Sequence, residues 1–457
     1  MRHLYFGAAK GGGSLRSSEH LVARRSGPLT GRARVPGDKS ISHRALILGA
    51  LCVGDTPICG LLDAGDVART AAALQAMGAT VTRDGPDRHV VSGVGVGGLM
   101  QPAHDLDLGN SGTSTRLLLG LVASHDIEVG FTGDASLSRR PMRRVLEPLQ
   151  AIGARVTAGG DTLPLRLRGA RDPEPITYRL PVPSAQVKSA ILLAGLNTPG
   201  ITTVIEPQPT RDHTERMLTR FGARVEIGVD AGGARRIALA GQPELSPCAI
   251  EVPGDPSSAA FLVVAALIVP GSDIVVENVM MNPTRAGLIE TLQDMGGDIE
   301  PVDRREAGGE PVADLRVRAS RLSGVEVPAW RAPSQIDEYP VLAVAAAFAE
   351  GTTRMRGLAE LRVKESDRLA AIVDILGDAG VRAESGGDDL TVTGGGVTGG
   401  STVTTRLDHR LAMAALVMGL ASDRPVAIDD ASPIATSFTG FVPTMRGLGA
   451  MIDADEE

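Results

Sequence analysis

The amino-acid sequence predicts an α/β protein of two similar domains, each built from three copies of one repeated unit. One phrase returns at the end of six amphipathic stretches: LQAMGATV, LQAIGARV, LTRFGARV, LQDMGGDI, LGDAGVRA and MRGLGAMI. Two longer stretches are also alike, VPGDKSISHRALILGAL from Val35 and VPGDPSSAAFLVVAALIV from Val252. Because these Pro-Gly-Asp turns stand three units apart, they favour two closed domains over a linear solenoid.

Each unit is predicted to hold a surface helix that ends at a glycine. The six glycines are Gly78, Gly153, Gly222, Gly296, Gly380 and Gly449. Each stands where a helix C-terminus needs a left-handed residue, and a strand follows. The amphipathic patterns before them predict helices near residues 66–78, 142–153, 212–222, 284–296, 366–380 and 437–449.

Each unit is also predicted to hold a second helix that is buried on every side. The stretches 45–53, 115–124, 187–197, 259–269, 340–349 and 410–421 are apolar nearly all round. Such a pattern is typical of a helix with no solvent-facing side. Short β-branched runs between the helices, such as ITTVIE, DIVVENV and LTVTG, predict strands.

Composition excludes several classes of protein. The chain has 457 residues, of which 43% are hydrophobic and 22% charged, as in soluble globular proteins. A net charge of −8 argues against nucleic acid as a partner, and no apolar run reaches the roughly 20 residues that span a bilayer. Cys52, Cys59 and Cys248 lack metal-ligand spacing, so we expect reduced thiols and a cytoplasmic location.

The first 30 residues are rich in glycine, serine and arginine and contain a single acid, Glu19. This composition predicts a flexible tail over residues 1–30, with a transit peptide as the alternative.

The predicted helix starts carry cations, although the positive end of a helix dipole favours anions. These cations are Lys39, Arg44, Arg139, Arg140, Arg211, Lys364, Arg368 and Arg410. Neighbouring acids offer one explanation, since Asp38, Asp212, Asp367 and Asp408 lie close in sequence. The repetition of the pattern favours a multiply charged ligand held where several helix starts converge.

Two helix starts offer neutral binding groups. PVPSAQVKS presents Ser184, Ala185 and Gln186, and GNSGTSTRL presents Gly112 beside two hydroxyl residues. Serine at such a position is also an ordinary N-cap. Gly112 lets a ligand approach the backbone closely.

Two acids stand among the cations. Asp337 precedes a predicted buried helix, and Glu365 lies within RVKESDRL. Either acid could form a plain ion pair, and cationic neighbours should favour its charged form. In a site that excludes water, the two could instead handle protons on opposite sides of a substrate. His43, His213 and His409, each beside an arginine or aspartate, are interpreted as structural residues or as residues that support the ligand-binding side chains.

The motifs GDKSISHRA, GNSGTSTR, GDASLSRRPM, SAQVKSA, TRDHTERM, IDEYP, RVKESDR and LDHRLAM occur in this order. Together they resemble the 5-enolpyruvylshikimate-3-phosphate (EPSP) synthase family, over about residues 32 to 455. SISHR, SAQVKS and TRDHTE resemble its bacterial class II branch. The resemblance implies the enolpyruvyl transferase fold, an inside-out α/β barrel of six βαβαββ repeats, three per domain. It places one domain at 37–253 and the other at 31–36 plus 254–457, with crossovers near 37 and 254.

The resemblance also implies the reaction. Members of the family transfer the enolpyruvyl group of phosphoenolpyruvate to the 5-hydroxyl of shikimate 3-phosphate and release phosphate, through a tetrahedral intermediate and without a cofactor or metal. The implied shikimate 3-phosphate ligands are Lys39, Ser40, Arg44, Ser184, Ala185, Gln186, Arg211, Asp337 and Lys364. The implied phosphoenolpyruvate ligands are Lys39, Gly112, Arg140, Gln186, Arg368 and Arg410.

The implied catalytic roles fall on four residues. Asp337 would take the proton of the 5-hydroxyl, and Glu365 would protonate the methylene carbon and later remove a proton from the methyl group. Lys364 would stabilise charge on the leaving phosphate, and Lys39 would lie between the two ligands. We further expect a monomer that closes about Gly37 and Gly254, with glyphosate as a possible inhibitor.

Two departures from the family pattern bear on the site. Thr436 stands where many members have a lysine, and Thr439 stands where a proline is common. Gly112 occupies a position where glyphosate-tolerant class II members can have alanine, which leaves more room in the pocket. Leu117 replaces the proline of many sensitive enzymes, which favours tolerance.

Two other functions are compatible with the helix-start cations. UDP-N-acetylglucosamine enolpyruvyl transferase has the same architecture, but its mobile loop carries a cysteine, and GDASLSRRPM has none. A non-catalytic anion-binding protein is the other alternative, and it gives Asp337 and Glu365 no purpose.

Overall fold

A computed structural model describes residues 20–454, and its helices and strands repeat in a regular order. The helices are α1 (Lys39–Ala50), α2 (Gly65–Ala76), α3 (Gly112–Val122), α4 (Arg143–Ile152), α5 (Ala185–Leu196), α6 (His213–Arg220), α7 (Pro256–Ile268), α8 (Gly287–Asp294), α9 (Ala332–Gln335), α10 (Tyr339–Phe348), α11 (Arg368–Asp378), α12 (His409–Gly419) and α13 (Phe441–Gly447). Short 3-10 turns occupy Leu137–Arg139, Ala329–Arg331, Ala359–Val363 and Ser432–Thr436.

The strands of the first half of the chain are β1 (Leu21–Arg24), β2 (Thr30–Arg34), β3 (Val53–Cys59), β4 (Thr80–Arg83), β5 (Arg88–Val94), β6 (Leu106–Asp107), β7 (Glu128–Thr132), β8 (Arg155–Ala158), β9 (Leu165–Arg168), β10 (Thr177–Arg179), β11 (Ile201–Glu206), β12 (Val225–Val229) and β13 (Arg235–Ala240). Those of the second half are β14 (Ile250–Glu251), β15 (Asp273–Met280), β16 (Asp298–Ala307), β17 (Glu310–Arg318), β18 (Glu326–Val327), β19 (Thr352–Met355), β20 (Arg382–Gly386), β21 (Asp389–Thr393), β22 (Thr402–Val403), β23 (Val426–Ile428) and β24 (Met451–Ala454).

All six sheets of the described residues have the same topology. Their strand orders are β14-β3-β5-β4, β6-β7-β9-β8, β10-β11-β13-β12, β2-β15-β17-β16, β18-β19-β21-β20 and β22-β23-β1-β24. In each sheet the first two strands run parallel and the remaining neighbours are antiparallel. The predicted βαβαββ unit, repeated six times, is therefore confirmed.

The predicted helix ends are also confirmed. All six repeat glycines have a positive φ, between 83° at Gly380 and 117° at Gly153. A residue with a side chain is strained in this conformation, which explains the glycine at every surface-helix end.

Six helices are buried along nearly their whole length, as predicted: α1, α3 and α5 in the first half of the chain, and α7, α10 and α12 in the second. Buried hydrophobic residues form two clusters. One runs from Ile41 to Val252 and includes Met280, and the other joins Leu21–Val35 to Ala259–Ile452. The domain boundaries at 37 and 254 stay a prediction that agrees with this grouping. No helix among residues 20–454 is both long and apolar enough to cross a bilayer.

The two Pro-Gly-Asp turns pair with each other. Gly37 and Gly254 form an antiparallel bridge. The backbone N–H of Asp38 donates to the carbonyl oxygen of Pro253, and that of Asp255 donates to the carbonyl oxygen of Pro36. A Cβ atom on Gly37 would lie 1.9 Å from the carbonyl oxygen of Gly60. Close approach of two backbones therefore requires glycine at this crossover.

The predicted tail over residues 1–30 is wrong for the part that the structure describes. Strand β1 lies inside its sheet, between β23 and β24, with Leu21, Val22 and Ala23 buried. Strand β2 joins β15 of the same half of the molecule. Residues 1–19 lie outside the described residues.

Candidate active site

Five of the six buried helices begin at side-chain caps, and α10 does not. The carboxylates of Asp38, Asp255 and Asp408 and the hydroxyls of Ser111 and Ser184 accept backbone N–H groups at the starts of α1, α7, α12, α3 and α5. Each cap fixes where the helix starts, so the side chains of the first turn have a defined direction. The ordinary N-cap interpretation is therefore correct for Ser184, whose hydroxyl accepts from the N–H of Val187 at 3.3 Å. Ala185 follows as the first residue of α5.

Arg44 is buried without an acidic partner. Its Nε donates to Thr214 Oγ1 at 2.7 Å, Nη2 donates to Ser189 Oγ at 2.8 Å, and Nη1 donates to the carbonyl oxygen of Ser40 at 2.9 Å. Within residues 20–454, no carboxylate oxygen lies within 4.0 Å of this guanidinium. Burial lowers the pKa of Arg44 to about 10. An unpaired buried cation is costly, which indicates that an anion completes the site.

A second group of cations surrounds Gly112. Arg116 donates from Nη1 to Gln186 Oε1 at 3.0 Å, and Gln186 Nε2 donates to a hydroxyl of α3. Arg140 donates to Asn110 Oδ1 at 2.8 Å. A Cβ atom on Gly112 would lie 2.8 Å from Arg116 Nη1 and 3.2 Å from Arg140 Nη1. The absent side chain thus makes room for two arginine ends.

Asp337 is enclosed by cations from both halves of the chain. Its carboxylate lies 3.1 Å from Arg211 Nη2, 3.3 Å from Lys364 Nζ and 3.7 Å from Arg368 Nη1. Arg410 donates from Nη1 to the Asp337 carbonyl oxygen at 3.1 Å. The predicted residues of two different halves therefore meet at this carboxylate.

The charged state of Asp337 follows from this enclosure. Burial alone would raise the pKa of Asp337, but Lys364, Arg410, Arg211 and Arg368 outweigh it and hold the pKa well below its ordinary value. The carboxylate is therefore ionised at physiological pH, which is the charge state that a proton acceptor needs.

Glu365 and Asp337 share one guanidinium. Arg368 Nη2 lies 2.7 Å from Glu365 Oε2, and Arg368 Nη1 faces Asp337. Burial would raise the pKa of Glu365, whereas Arg368 lowers it and prevails. Arg368 itself is 1% exposed and also binds Asp408, with Nε 2.8 Å from Oδ2. The ion-pair interpretation of Glu365 is correct for this state of the protein.

Within residues 20–454, Lys39 makes no side-chain ion pair or hydrogen bond to another predicted site residue. Its Nζ lies 3.2 Å from Asp66 Oδ2, and 44% of its side chain is exposed. Lys39 nevertheless opens α1, in the same turn as Ser40 and one turn before Arg44.

Few of the helix-start cations are neutralised by an acid that lies close to them in sequence. Asp408 pairs with Arg368, which is 40 residues away, and among the described residues Asp38 binds Arg285 and not Lys39 or Arg44. Arg211 pairs with Asp337, which is distant in sequence, and not with its neighbour Asp212. The acid partners are therefore set by tertiary contacts.

Arg116 and Glu338 have no role in the sequence interpretation, and Asp408 appears there only as an acid close in sequence to the cations. Arg116 carries a cation into the second turn of α3, and burial lowers its pKa. Asp408 positions Arg368, and the buried carboxylate of Glu338 lies 3.9 Å from Arg410 Nη1. The sequence could have identified Arg116 as a site residue, because this arginine of GNSGTSTRL interrupts an otherwise apolar helix.

His43 and His213 form buried side-chain contacts, which agrees with the structural or supporting role interpreted from the sequence. His43 Nδ1 lies 2.9 Å from Thr70 Oγ1, and His213 Nδ1 lies 2.8 Å from Glu310 Oε1. Burial lowers the pKa of His43 and of His409 to about 3, and that of His213 well below its ordinary value. All three are therefore neutral.

The substituted C-terminal positions face solvent. Thr436 is exposed and donates its hydroxyl to the Pro433 carbonyl oxygen at 2.7 Å, and Thr439 is also exposed. A cavity of about 610 Å³ lies beside the crossovers, lined in part by Gly37, Gly254 and Thr439, and contains none of the predicted substrate ligands.

Asp212, His213 and Glu310 place potential metal ligands within 4.8 Å of one another. The Nδ2 of Asn282 donates to both carboxylates at 2.7 Å, and its Oδ1 accepts from Thr284, which fixes the amide orientation. A hydrogen-bond donor aimed at both carboxylates does not suit a metal ion. The cluster is a hydrogen-bond network between the two halves of the chain.

Six βαβαββ repeats in two domains, with arginines at converging helix starts around two acids, define an enzyme of the enolpyruvyl transferase fold. A family model described as EPSP synthase (3-phosphoshikimate 1-carboxyvinyltransferase) matches residues 23–445. The chain belongs to this family.

Relatives and solved structures agree with this assignment. The 3-phosphoshikimate 1-carboxyvinyltransferase of Acidiphilium cryptum (strain JF-5) is 61% identical over 432 residues, which cover 94% of this chain and 97% of the relative. That of Afipia carboxidovorans is 62% identical over 432 residues, with the same coverage of both chains. A structure of the EPSP synthase of Acinetobacter baumannii is similar with a TM-score of 0.89 and 40% identity, covering 96% of this chain and all of that chain. These comparisons do not favour the UDP-N-acetylglucosamine alternative.

Proposed function

We infer that this chain transfers the enolpyruvyl group of phosphoenolpyruvate to the 5-hydroxyl of shikimate 3-phosphate and releases phosphate, by addition and elimination. The observation that carries the inference is the pair Asp337 and Glu365, which share the guanidinium of Arg368 among cations from both halves of the chain. Simple anion binding has no use for two acids at this place.

We propose that shikimate 3-phosphate occupies the helix starts of the first domain. Arg44 supports this assignment because it is buried with no acidic partner among the described residues. Arg211 supports it because its contact with Asp337 joins the cations of one domain to the acid of the other. The proposed ligands are Lys39, Ser40, Arg44, Ser184, Ala185, Gln186, Arg211, Asp337 and Lys364.

Phosphoenolpyruvate is proposed to lie between Gly112 and the second domain. Among residues 20–454, the partner of the Arg140 guanidinium is the neutral amide of Asn110, so its charge is available to an anion. Gln186 is held by Arg116 beside the same wall. The proposed ligands are Lys39, Gly112, Arg140, Gln186, Arg368 and Arg410.

The proposed proton transfers need opposite charge states of the two acids. Asp337 acts as the base, since the cations around it keep its carboxylate ionised. Glu365 must first carry a proton to the methylene carbon, although Arg368 now lowers its pKa. An anion bound to Arg368 and Arg410 would offset their positive charge and raise the pKa of Glu365. Binding of phosphoenolpyruvate thus prepares the acid that protonates it. Lys364 stabilises the charge of the departing phosphate.

Phosphate release tests the function directly. Purified protein is incubated with phosphoenolpyruvate and either shikimate 3-phosphate or UDP-N-acetylglucosamine, and free phosphate is measured. We expect release with shikimate 3-phosphate alone. Release only with the sugar nucleotide, or with neither acceptor, would contradict the proposal.

Three finer assignments complete the proposal. We propose a monomer, a cytoplasmic location, and glyphosate as an inhibitor that competes with phosphoenolpyruvate. Sedimentation of the purified protein tests the first, cell fractionation the second, and inhibition at several phosphoenolpyruvate concentrations the third.

A further inference from the structure

The guanidinium of Arg44 is held on one side by two hydroxyl groups. Thr214 Oγ1 accepts from Nε at 2.7 Å and Ser189 Oγ accepts from Nη2 at 2.8 Å. The two hydroxyls also bond to each other at 2.7 Å. Both side chains are at most 2% exposed, so water does not compete for these bonds.

Three of the five N–H groups of Arg44 are thereby used, counting the bond to the carbonyl of Ser40. One N–H remains on each terminal nitrogen. Two N–H groups of this kind form the fork that binds a carboxylate or phosphate with two parallel bonds. The hydroxyl pair thus fixes which edge of the guanidinium is left for a ligand.

The residues next to the hydroxyl pair join the two helices that carry it. Lys188 precedes Ser189 on α5, and Glu215 follows Thr214 on α6. Lys188 Nζ lies 2.8 Å from Glu215 Oε1 and 3.0 Å from Glu206 Oε1, with all three side chains at most 1% exposed. Arg235 lies 3.6 Å from each of these two glutamates, so the network contains two cations and two acids.

This network matters because the hydroxyl pair works only at a fixed spacing. A buried pair with good geometry resists displacement, since separating its charges would leave them uncompensated. Lys188 and Glu215 therefore hold α5 and α6 at the separation at which both hydroxyls reach Arg44.

We propose that Ser189 and Thr214 are positioning residues for shikimate 3-phosphate binding, which act by orienting Arg44, and that the Lys188–Glu215 pair fixes their spacing. The proposal rests on the proposed function for the identity of the ligand. It assigns neither hydroxyl to the chemical steps.

Thr214 offers a sharp test because two replacements separate its hydroxyl from its shape. Thr214→Val keeps the shape and removes the hydroxyl, whereas Thr214→Ser keeps the hydroxyl. Loss of a hydrogen bond to a charged group predicts a rise of roughly tenfold or more in KM for shikimate 3-phosphate in Thr214→Val. We expect little change in kcat or in KM for phosphoenolpyruvate, and we expect Thr214→Ser to restore KM. Ser189→Ala should resemble Thr214→Val.

Thr198→Val is the matched control. Thr198 is buried on the C-terminal side of α5, and its hydroxyl donates to the Ala194 carbonyl oxygen at 2.9 Å, away from Arg44. We expect it to lower thermal stability as Thr214→Val does, without a change in KM. The proposal would be overturned if Thr214→Val and Thr214→Ser changed KM for shikimate 3-phosphate equally. It would also be overturned if neither Thr214→Val nor Ser189→Ala changed this KM.

Direct binding separates this proposal from the proposed function. The Kd of shikimate 3-phosphate is measured by calorimetry without phosphoenolpyruvate, so no turnover is needed. Weaker binding in Thr214→Val than in Thr214→Ser supports the positioning role even if no phosphate is released, in which case only the proposed function fails. Equal Kd values in wild type and Thr214→Val would overturn the positioning role whatever the activity.

Discussion

Asp337 and Glu365 both face the guanidinium of Arg368 and are the proposed base and acid. Substitution of either one should therefore affect the chemical steps more than substrate binding. We expect Asp337→Asn and Glu365→Gln to lower kcat by about 10²- to 10⁴-fold, the usual contribution of a general acid or base. Both replacements keep the size of the side chain, and the substrate cations remain in place. Phosphate release gives kcat, and calorimetry gives the Kd of shikimate 3-phosphate, which should stay measurable.

Glu384→Gln is a suitable control for this pair. Glu384 is an exposed glutamate of β20 that pairs with Arg382 at 2.8 Å. Its kcat should equal that of the wild type. Near-normal turnover in Asp337→Asn or in Glu365→Gln would remove that residue from the mechanism.

Gly112 gives a second prediction at the scale of one residue. The methyl group of Gly112→Ala would lie 2.8 Å from Arg116 Nη1 and 3.2 Å from Arg140 Nη1, so both arginine ends must shift. We expect weaker inhibition by glyphosate, by about tenfold, because one methyl group in a tight pocket discriminates on that scale. Inhibition constants and KM for phosphoenolpyruvate are measured together. A larger rise in KM than in the inhibition constant would contradict a selective effect on glyphosate.

Site residues could be predicted from the sequence where an unfavourable local interaction marks them. Cations at helix starts oppose the helix dipole, and this conflict identified Arg44, Arg211 and Arg368 without a structure. Their partners could not be predicted, because pairing depends on contacts between distant segments. Arg211 binds Asp337 rather than the adjacent Asp212 for this reason.

Strand β1 gives the prediction at the scale of one element. Ala23 is fully buried in β1 between β23 and β24, whereas Arg24 is exposed on the same strand. Ala23→Asp would bury an unpaired charge, so we expect the thermal midpoint to fall by several degrees or the protein to aggregate. Arg24→Asp is the matched control and should change the midpoint little. Equal midpoints in both variants would contradict a buried β1.

The same strand shows why the elements were predictable to different degrees. Each buried helix has an uninterrupted apolar pattern, and each surface helix ends at a glycine with positive φ, so local sequence defines both. Strand β1 has only four residues and follows a stretch rich in glycine and arginine. Its place is set by the gap between β23 and β24, which come from the other end of the chain, and a local pattern contains no such information.

Domain closure is a prediction about the whole molecule. Arg44 and Arg211 come from the first half of the chain, and Lys364 and Arg410 come from the second. Asp337 already joins Arg211 to Lys364, but the cations outnumber this acid, so the remaining repulsion opposes full closure until an anion enters. We expect shikimate 3-phosphate to reduce the radius of gyration measured by small-angle X-ray scattering. Shikimate, which lacks the phosphate, should have a smaller effect. Identical scattering profiles with and without shikimate 3-phosphate would contradict closure.

Glu310 links the two domains through a titratable contact. Its carboxylate, which is fully buried, lies 2.8 Å from His213 Nδ1 and 2.7 Å from Asn282 Nδ2. Burial raises the pKa of Glu310 to about 7, and Asp212 and Asp38 add to this rise, while Asn282 and Arg216 oppose it. Glu310 is therefore an acid whose neutral form fits the folded protein better than its charged form.

This raised pKa fixes the sign of a pH effect on stability. Between the ordinary value of 4.5 and about 7, the folded protein holds a proton on Glu310 that the unfolded chain has lost, so the contribution of Glu310 to stability falls as the pH rises. The loss is on the order of 3 kcal/mol by pH 8.

Glu310→Gln mimics the protonated acid and cannot ionise. We expect its urea midpoint to exceed that of the wild type increasingly from pH 5 to pH 8. Glu306→Gln, at an exposed glutamate of β16, should follow the wild type at every pH. A constant difference between Glu310→Gln and the wild type across this range would mean that Glu310 does not titrate between the domains.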